Sequence, residues 1–324
     1  MPDVDVGALA VGVRGGDRRS LARAITLVES QRPEQRAEAI TLLDALQPTT
    51  GGAARVAISG PPGVGKSTLI EGLGVHVVRD GHKVAVLAID PSSARSGGSI
   101  LGDKTRMEVL AREPDAFIRP SPSSGALGGV ARRTREAMLV CEAAGFDVVL
   151  IETVGVGQSE IEVDAMVDTF VLLAAPGAGD ELQGIKRGVM EMADVVVVTK
   201  ADGDLLGLAR QAASDHQRAL HLLRPKHAGW TAEVVLGSAR MGEGIAEIWA
   251  AVQRHRSTLE STGVLAARRA EQAKTWLWSE VREQALERVY ADPARRDLVP
   301  VIEADVAAGV LSPEAGARRL LSSS

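Results

Sequence analysis

Apolar residues follow two different patterns along the middle of the chain. Short runs dominated by Val, Ile, Leu and Ala are separated by stretches in which apolar residues recur at helical spacing. The runs are RVAISG, KVAVLAID, FDVVLIET, TFVLLAA, DVVVVTK and EVVLGSA. Continuous apolar runs of this length are typical of strands that are buried on both faces, and their alternation with helices predicts a parallel sheet. The expected fold class is therefore α/β, with a doubly wound and mostly parallel sheet.

Helical patterns flank this central region on both sides. SLARAITLVES and PEQRAEAITLLDAL, within residues 20–46, predict two short helices, the second with Pro33 at its first position. From about Arg256 the pattern predicts a long amphipathic helix that ends near Asp292, and another that has Ser312 as its cap. We therefore expect an N-terminal helical extension (1–50), a central α/β domain (51–255) and a C-terminal helical segment (256–324).

Composition narrows the functional classes. The formal net charge of −5 argues against general nucleic-acid binding. The single cysteine, Cys141, excludes an internal disulfide and a cysteine metal cluster, so we expect a buried, inert thiol. No apolar run approaches the length of a membrane span. The N-terminus has neither the core of a signal peptide nor an Arg- and Ser-rich transit pattern, which indicates a cytoplasmic protein.

GPPGVGKST, residues 60–68, fits the phosphate-binding pattern G-x-x-x-x-G-K-[ST]. It follows a predicted strand and precedes a predicted helix, which is the context that this motif requires. Glycines let backbone N–H groups converge on phosphate oxygens at a helix N-terminus. Lys66 would neutralise the β- and γ-phosphate oxygens, and the Ser67 hydroxyl would bind Mg²⁺. The nucleotide-binding residues predicted here are Gly63, Val64, Gly65, Lys66, Ser67 and Thr68, in a P-loop NTPase fold.

The segment TKADGD, residues 199–204, follows the predicted strand DVVVV and indicates which base is bound. It is similar to the guanine-reading N-K-x-D motif of G proteins, with Thr199 in place of Asn. The Asp202 carboxylate can accept hydrogen bonds from the ring N–H and the exocyclic amine of guanine, a donor pair that adenine lacks. Lys200 can lay its aliphatic stem against the base. The later loop GSAR, with Ser238, Ala239 and Arg240, resembles the G-protein loop that meets the base oxygen.

Acidic residues at strand ends and in loops predict the metal site and the switches. Asp90, Asp103 and Glu152 are the acids that we place around Mg²⁺, directly or through water. Gly155 should offer its backbone N–H to the γ-phosphate, so that loss of this phosphate releases the loop 153–160. Val156 stands where small GTPases carry a water-orienting Gln, which suggests that catalysis is completed from elsewhere.

Another glycine-rich loop is expected at residues 175–188. It follows the predicted strand TFVLLAA and carries Lys186 and Arg187 near its end. We interpret it as a partner-sensing loop that could bring Lys186 to the nucleotide. Gln158 and Lys186 are then the candidates for the group that completes the catalytic site.

Several long segments carry a family resemblance. AIDPSSARSGGSILGDKTRM, IRPSPSSGALGGVARRTRE, LIETVGVGQSE, DELQGIKRG and KTWLW together resemble the methylmalonyl-CoA mutase-associated GTPases of the MeaB and ArgK type, related to human MMAA. The resemblance covers about residues 20–324. It implies a homodimer built partly with the C-terminal helices, and GTP hydrolysis coupled to an adenosylcobalamin-dependent acyl-CoA mutase, which the GTPase serves as a chaperone.

The same resemblance implies roles for particular residues. The family's acidic switch residues fall on Asp90, Asp103 and Glu152, and its third switch falls on about residues 175–188 with Lys186. We therefore expect Lys66, Asp103, Glu152 and Lys186 to be catalytic, with Mg²⁺ bound by Ser67, Asp90, Asp103 and Glu152. Adenosylcobalamin would be involved only through the partner mutase.

Two other functions stay open at this point. A metal-insertion GTPase of the nickel-enzyme maturation type would share the fold, but that class tends to carry His or Cys tracts, and the histidines here are scattered. A kinase that moves phosphate to a small acceptor or a transport protein would release a phosphorylated product in step with GDP. Neither a membrane nor a nucleic acid is an expected partner.

Overall fold

The computed structural model describes residues 5–90, 107–122, 127–153, 159–177 and 187–322. In this part of the chain the strands are β1 (Ala54–Ser59), β2 (Val84–Asp90), β3 (Ala116–Pro122), β4 (Val148–Glu152), β5 (Thr169–Ala174), β6 (Val195–Val198) and β7 (Glu233–Leu236). The strands form one seven-stranded sheet in the order β3-β2-β4-β1-β5-β6-β7. Every described pair is parallel. The predicted doubly wound α/β class is confirmed.

Helices connect the strands and extend the chain at both ends. They are α1 (Val6–Arg14), α2 (Arg18–Val28), α3 (Pro33–Leu46), α4 (Lys66–Arg79), α5 (Glu108–Arg112), α6 (Leu127–Ala143), α7 (Ser159–Asp164), α8 (Arg187–Met192), α9 (Leu206–His221), α10 (Ile245–Ser261), α11 (Val264–Ala291), α12 (Pro293–Ala307) and α13 (Pro313–Ser322). Among the described residues, no helix is both long and apolar enough to cross a membrane.

The core lies between the sheet and the helices that cover it. β1 is buried along its whole length, as expected for a central strand with neighbours on both sides. Helix α4 directs Leu69, Ile70 and Leu73 into this core, at the spacing of one helix face. Trp249, on α10, belongs to the same cluster of buried residues. The sequence predicted these buried runs because Val, Ile and Leu dominate them.

Three elements differ from the expectation. β3 was not predicted; it lies at an edge of the sheet, where the prolines Pro120 and Pro122 do not interrupt a second ladder. Helix α1 was also missed, although Asp5 caps it by accepting from the Ala8 backbone N–H at 2.9 Å. Helix α12 was missed because Asp292 and the proline after it also fit the end of a helix. Asp292 in fact caps the following helix, with 3.0 Å between its Oδ1 and the backbone nitrogen of the second helical residue.

Contacts divide the chain into two compact units, Met1–Arg268 and Arg269–Ser324. The first contains the sheet and helices α1 to α10. The second is helical, with α12 packed on α13 through Ile302 and Gly316. The three-part division expected from the sequence stays a prediction. Cys141 is fully buried, and burial raises the pKa of its thiol far above the ordinary value.

Candidate nucleotide-binding site

The predicted nucleotide-binding residues lie where strands end on one edge of the sheet. In a parallel sheet all carboxyl ends face the same edge, and ligands bind where neighbouring strands lead away in opposite directions. β1 lies between β4 and β5 and leads into the loop 60–65, while Thr199 directly follows β6. Glu152 is the last residue of β4, adjacent to Ile58 of β1 in the strand register.

The loop 60–65 has a backbone that side chains would disturb. Gly65 precedes α4 with a φ of 101°, in the left-handed region that favours glycine. A Cβ on Gly60 would lie 2.8 Å from the carbonyl oxygen of Leu173 on β5. Gly60 and Gly65 therefore allow a backbone conformation that other residues would disturb, and the loop places Lys66 and Ser67 in the first turn of α4.

Lys66 is held by the loop that it belongs to. Its Nζ donates to the carbonyl oxygens of Gly60, at 2.7 Å, and Pro61, at 3.1 Å. Desolvation lowers the pKa of this half-buried ammonium, whereas the negative charges of Glu152 and Glu160 act in the opposite direction. An incoming phosphate would offer the ammonium a charged partner in place of neutral carbonyls.

Ser67 and Glu152 meet as the metal prediction requires. The Ser67 hydroxyl donates to Glu152 Oε1 at 2.8 Å, and the carboxylate is largely buried at the end of β4. A hydroxyl and a carboxylate side by side are oxygen ligands of the kind that Mg²⁺ binds, so these residues fit the ion. Their role as ligands stays a prediction. Asp90 ends β2 at the same sheet edge, although its side chain lies outside the described residues.

The predicted base loop is bonded directly to the phosphate loop. Thr199 Oγ1 lies 2.8 Å from the buried carbonyl oxygen of Val64, to which it donates, and 3.2 Å from the carbonyl oxygen of Ala174. Lys200 adopts a φ of 53°, which is uncommon outside glycine, and its Nζ donates to the Gly63 carbonyl oxygen at 2.9 Å. The hydroxyl of Thr199 thus braces the two loops, although it offers fewer hydrogen bonds than the Asn of the usual motif.

The second base loop closes on the first. The buried Ser238 hydroxyl donates to Asp202 Oδ2, which holds in place the carboxylate that is predicted to read the base. Backbone hydrogen bonds of 2.8 and 3.1 Å between Ser238 and Glu243 close the loop that follows. Ala239 packs partly against the core, and Arg240 is exposed. The structure thus brings the predicted residues 199–202 and 238 together.

Some predicted residues cannot be placed. Asp103, Gly155 and Lys186 lie outside the described residues, as do Val156 and Gln158, so their predicted roles remain predictions. Sequence reasoning did not consider Glu160, a buried acid on α7 whose charge acts on the pKa of Lys66. Glu160 lies two residues after Gln158, at the end of the predicted loop 153–160. This position was the available signal, but no role was assigned to Glu160.

With this geometry, comparisons with known proteins decide the family. Residues 21–294 match the family described as "Methylmalonyl Co-A mutase-associated GTPase MeaB". The chain belongs to the MeaB family. A probable GTPase of Mycobacterium tuberculosis is 56% identical over 98% of this chain and 95% of its own length. The "Methylmalonic aciduria type A homolog, mitochondrial" of Mus musculus is 50% identical over 98% of this chain and 79% of its own length.

A solved structure agrees in fold. The crystal structure of an "LAO/AO transport system kinase" is 40% identical to this MeaB-family chain, with a TM-score of 0.76, and covers 99% of it and 97% of its own length. The predicted family and fold are therefore confirmed, and the protein is a GTPase.

Proposed function

We propose that this GTPase acts as a chaperone for an adenosylcobalamin-dependent acyl-CoA mutase, and that GTP hydrolysis controls loading, protection or reactivation of the mutase cofactor. The observation that carries the proposal is the family match over residues 21–294, whose description names methylmalonyl-CoA mutase. The intact nucleotide frame supports it, because Lys66, the Ser67–Glu152 pair and the braced base loop are all present.

Hydrolysis would proceed by in-line attack of water on the γ-phosphate. Lys66 would exchange its loop carbonyls for phosphate oxygens and neutralise the charge that develops there. Ser67, Glu152, Asp90 and Asp103 would hold Mg²⁺, which neutralises phosphate charge when bound. No arginine finger is identifiable from the sequence, so we expect slow basal turnover that the partner stimulates.

A rate assay tests the coupling. GTP turnover is measured with the protein alone and with each candidate cobalamin mutase, and complexes are captured with a GTP analogue and with GDP. We expect faster turnover and nucleotide-dependent capture with the correct mutase. A stimulated rate no greater than the basal rate with every cobalamin mutase would contradict the proposal.

Asp202→Asn provides a control for the nucleotide itself. An amide in place of the carboxylate can donate to the 2-oxo group of xanthine, whereas the carboxylate suits the amine of guanine. We therefore expect this variant to lose GTP and to respond to xanthosine triphosphate, in turnover and in mutase capture. If GTP still drives the variant as well as it drives the native chain, Asp202 is not the base reader.

A kinase activity is the second candidate, because the solved relative is named a transport system kinase. The two activities differ in their products. A kinase transfers the γ-phosphate to an acceptor, so a phosphorylated acceptor appears in step with GDP. Release of all γ-phosphate as free phosphate, in the presence of candidate acceptors, would exclude this activity.

We also propose that the protein is a homodimer formed through α11. This helix exposes large apolar residues, among them Leu277 at 60%, Trp278 at 62% and Tyr290 at 50% exposure. So many exposed apolar side chains on one helix are costly to leave in water and favour association. Trp278→Glu should shift the mass measured by light scattering toward the monomer, whereas Arg282→Ala, on the same helix, should not. We also propose a cytoplasmic location for the protein.

A further inference from the structure

A second cluster of ionisable side chains lies at the opposite edge of the sheet from the phosphate loop. Asp194 directly precedes β6, His227 lies between α9 and β7, and His255 is on α10. All three residues are buried. Asp194 Oδ1 is 3.5 Å from the Nε2 atom of each histidine, and the three atoms lie within 4.8 Å of one another.

These separations fit a metal ion. Zn²⁺ binds histidine nitrogen and carboxylate oxygen at about 2.0–2.2 Å in a tetrahedral arrangement, which places two ligand atoms about 3.4 Å apart. The observed 3.5 Å between the carboxylate oxygen and each imidazole nitrogen is close to that value. Two of the three separations between ligand atoms therefore already suit one ion, and the third is no more than 4.8 Å.

The hydrogen bonds around the cluster indicate which ring nitrogens carry a lone pair. Arg268 Nη1 lies 3.3 Å from His227 Nε2, and a guanidinium only donates, so this contact requires a lone pair on Nε2. His255 Nδ1 lies 2.8 Å from Thr169 Oγ1. When Nδ1–H donates to this hydroxyl, Nε2 carries the lone pair. Within the described chain, Asp194 Oδ1 and His255 Nε2 have no hydrogen-bond partner.

Two of the three ligand atoms are buried acceptors that lack a donor among the described residues. When Nδ1–H of His255 donates to Thr169, Asp194 Oδ1 and His255 Nε2 face each other with no hydrogen between them, which is unfavourable. A cation between them would satisfy both atoms, and at His227 Nε2 it would replace the contact to Arg268.

We propose that Asp194, His227 and His255 form a binding site for a divalent transition-metal ion of the zinc class. Two imidazoles and one carboxylate suit Zn²⁺ or Co²⁺ better than Mg²⁺ or Ca²⁺, which prefer oxygen ligands. Three protein ligands leave one coordination position open. A cavity of about 180 Å³, whose lining includes Asp194 and Lys226, adjoins the cluster.

Surrounding contacts would orient the ligands. Asp194 Oδ2 accepts from the Phe170 backbone N–H at 2.8 Å and from Lys226 Nζ at 2.9 Å, which leaves Oδ1 to face the histidines. Thr169 plays the same part for His255. Partners of this kind fix the direction of a ligand and are important to affinity.

The charged side chains around the cluster determine its affinity for a metal ion. Lys226 and Arg268 are cationic, and Asp164 accepts from both, with Oδ1 at 2.7 and 3.0 Å. These two cations balance the carboxylates of Asp164 and Asp194 before any metal binds. A divalent ion would therefore add uncompensated positive charge, and we expect an exchangeable site rather than a permanently filled one. Arg268 would keep its bonds to the carbonyl oxygens of Asp164 and Val167.

The experiment uses the full chain, stripped of metals and then saturated with Mg²⁺ and GDP so that the nucleotide site is occupied. Co²⁺ is titrated while the visible d–d absorption is recorded, and bound Zn²⁺ is measured by elemental analysis. We expect one Co²⁺ per chain with a tetrahedral spectrum, displaced by Zn²⁺. His255→Phe should lose this spectrum. His216→Asn, which changes another buried histidine outside the cluster, should retain it.

Thr169→Val gives a second measurement that does not depend on losing a ligand. It keeps the shape of the strand residue and removes only the hydroxyl that orients His255, so metal affinity should fall by about 10- to 100-fold. Circular dichroism checks that each variant is folded. The proposal is overturned if the native chain binds no Co²⁺ or Zn²⁺ under these conditions. It is also overturned if folded His255→Phe, or Thr169→Val, binds as tightly as the native chain.

Discussion

Replacing Thr199 by valine tests the brace between the base loop and the phosphate loop. The residue is 5% exposed, and its hydroxyl is bonded to a carbonyl oxygen of Val64, itself 2% exposed. Valine has nearly the same shape, so the main change is a buried carbonyl that loses its donor. Such a loss costs about 1–3 kcal/mol. We expect the free energy of unfolding of the nucleotide-free protein to fall by this amount.

Nucleotide affinity should fall as well, because loops that are no longer braced must be ordered again when GDP binds. If GDP binding has to supply this whole free energy to order the loops, the dissociation constant rises by about 5- to 150-fold. Urea unfolding gives the first quantity, and calorimetric titration of GDP gives the second. Thr199→Ser retains the hydroxyl and is the matched control. A valine variant as stable as the serine variant, with equal GDP affinity, would refute the reasoning.

Other changes have equally definite outcomes. Glu152→Ala removes the acceptor of the Ser67 hydroxyl and should lower Mg²⁺-dependent GTP turnover by about 10²-fold; a normal rate would contradict its assignment. Gly244→Ala should destabilise the fold by at least about 1–3 kcal/mol in urea, because its φ is 73° and its Cβ would lie 2.1 Å from the last carbonyl oxygen of β7. Gly242→Ala, with a φ of 72° and no neighbour within 4 Å, measures the backbone strain alone. Cys141 should resist thiol reagents in the native protein and react in denaturant, because burial raises its pKa.

The sequence predicted the central sheet well because its strands are buried on both faces. Each predicted run corresponds to a strand, and the phosphate motif lies between β1 and α4 as its context required. β3 was not predicted because its sequence, AFIRPSP, contains a charged residue and two prolines, which interrupt the apolar pattern of a buried strand. Helix α12 was missed because Asp292 and the proline after it also fit the end of a helix, and its interior Pro300 gives no helix signal of its own.

Contacts between distant residues could not be predicted in the same way. Nothing local in the sequence shows that Thr199 reaches Val64, because the pair is separated by 135 positions and is brought together only by the sheet order. The metal-ligand cluster is a similar case. Asp194, His227 and His255 have no motif spacing, and the scattered histidines were an argument against a metal-insertion GTPase. Only the packing of α10 against the sheet brings them together.

The residues that we expect to bind the nucleotide differ from those that we expect to respond to its γ-phosphate. Lys200 and Thr199 tie the base loop to the phosphate loop, and Ser238 holds Asp202. These residues are predicted to contact features common to GDP and GTP, so changes among them should alter the affinity for both nucleotides together. Discrimination between them must come from groups that reach the γ-phosphate, which is the role predicted for Gly155. We therefore expect different segments of this chain to carry binding strength and switching, so that each can be altered without the other.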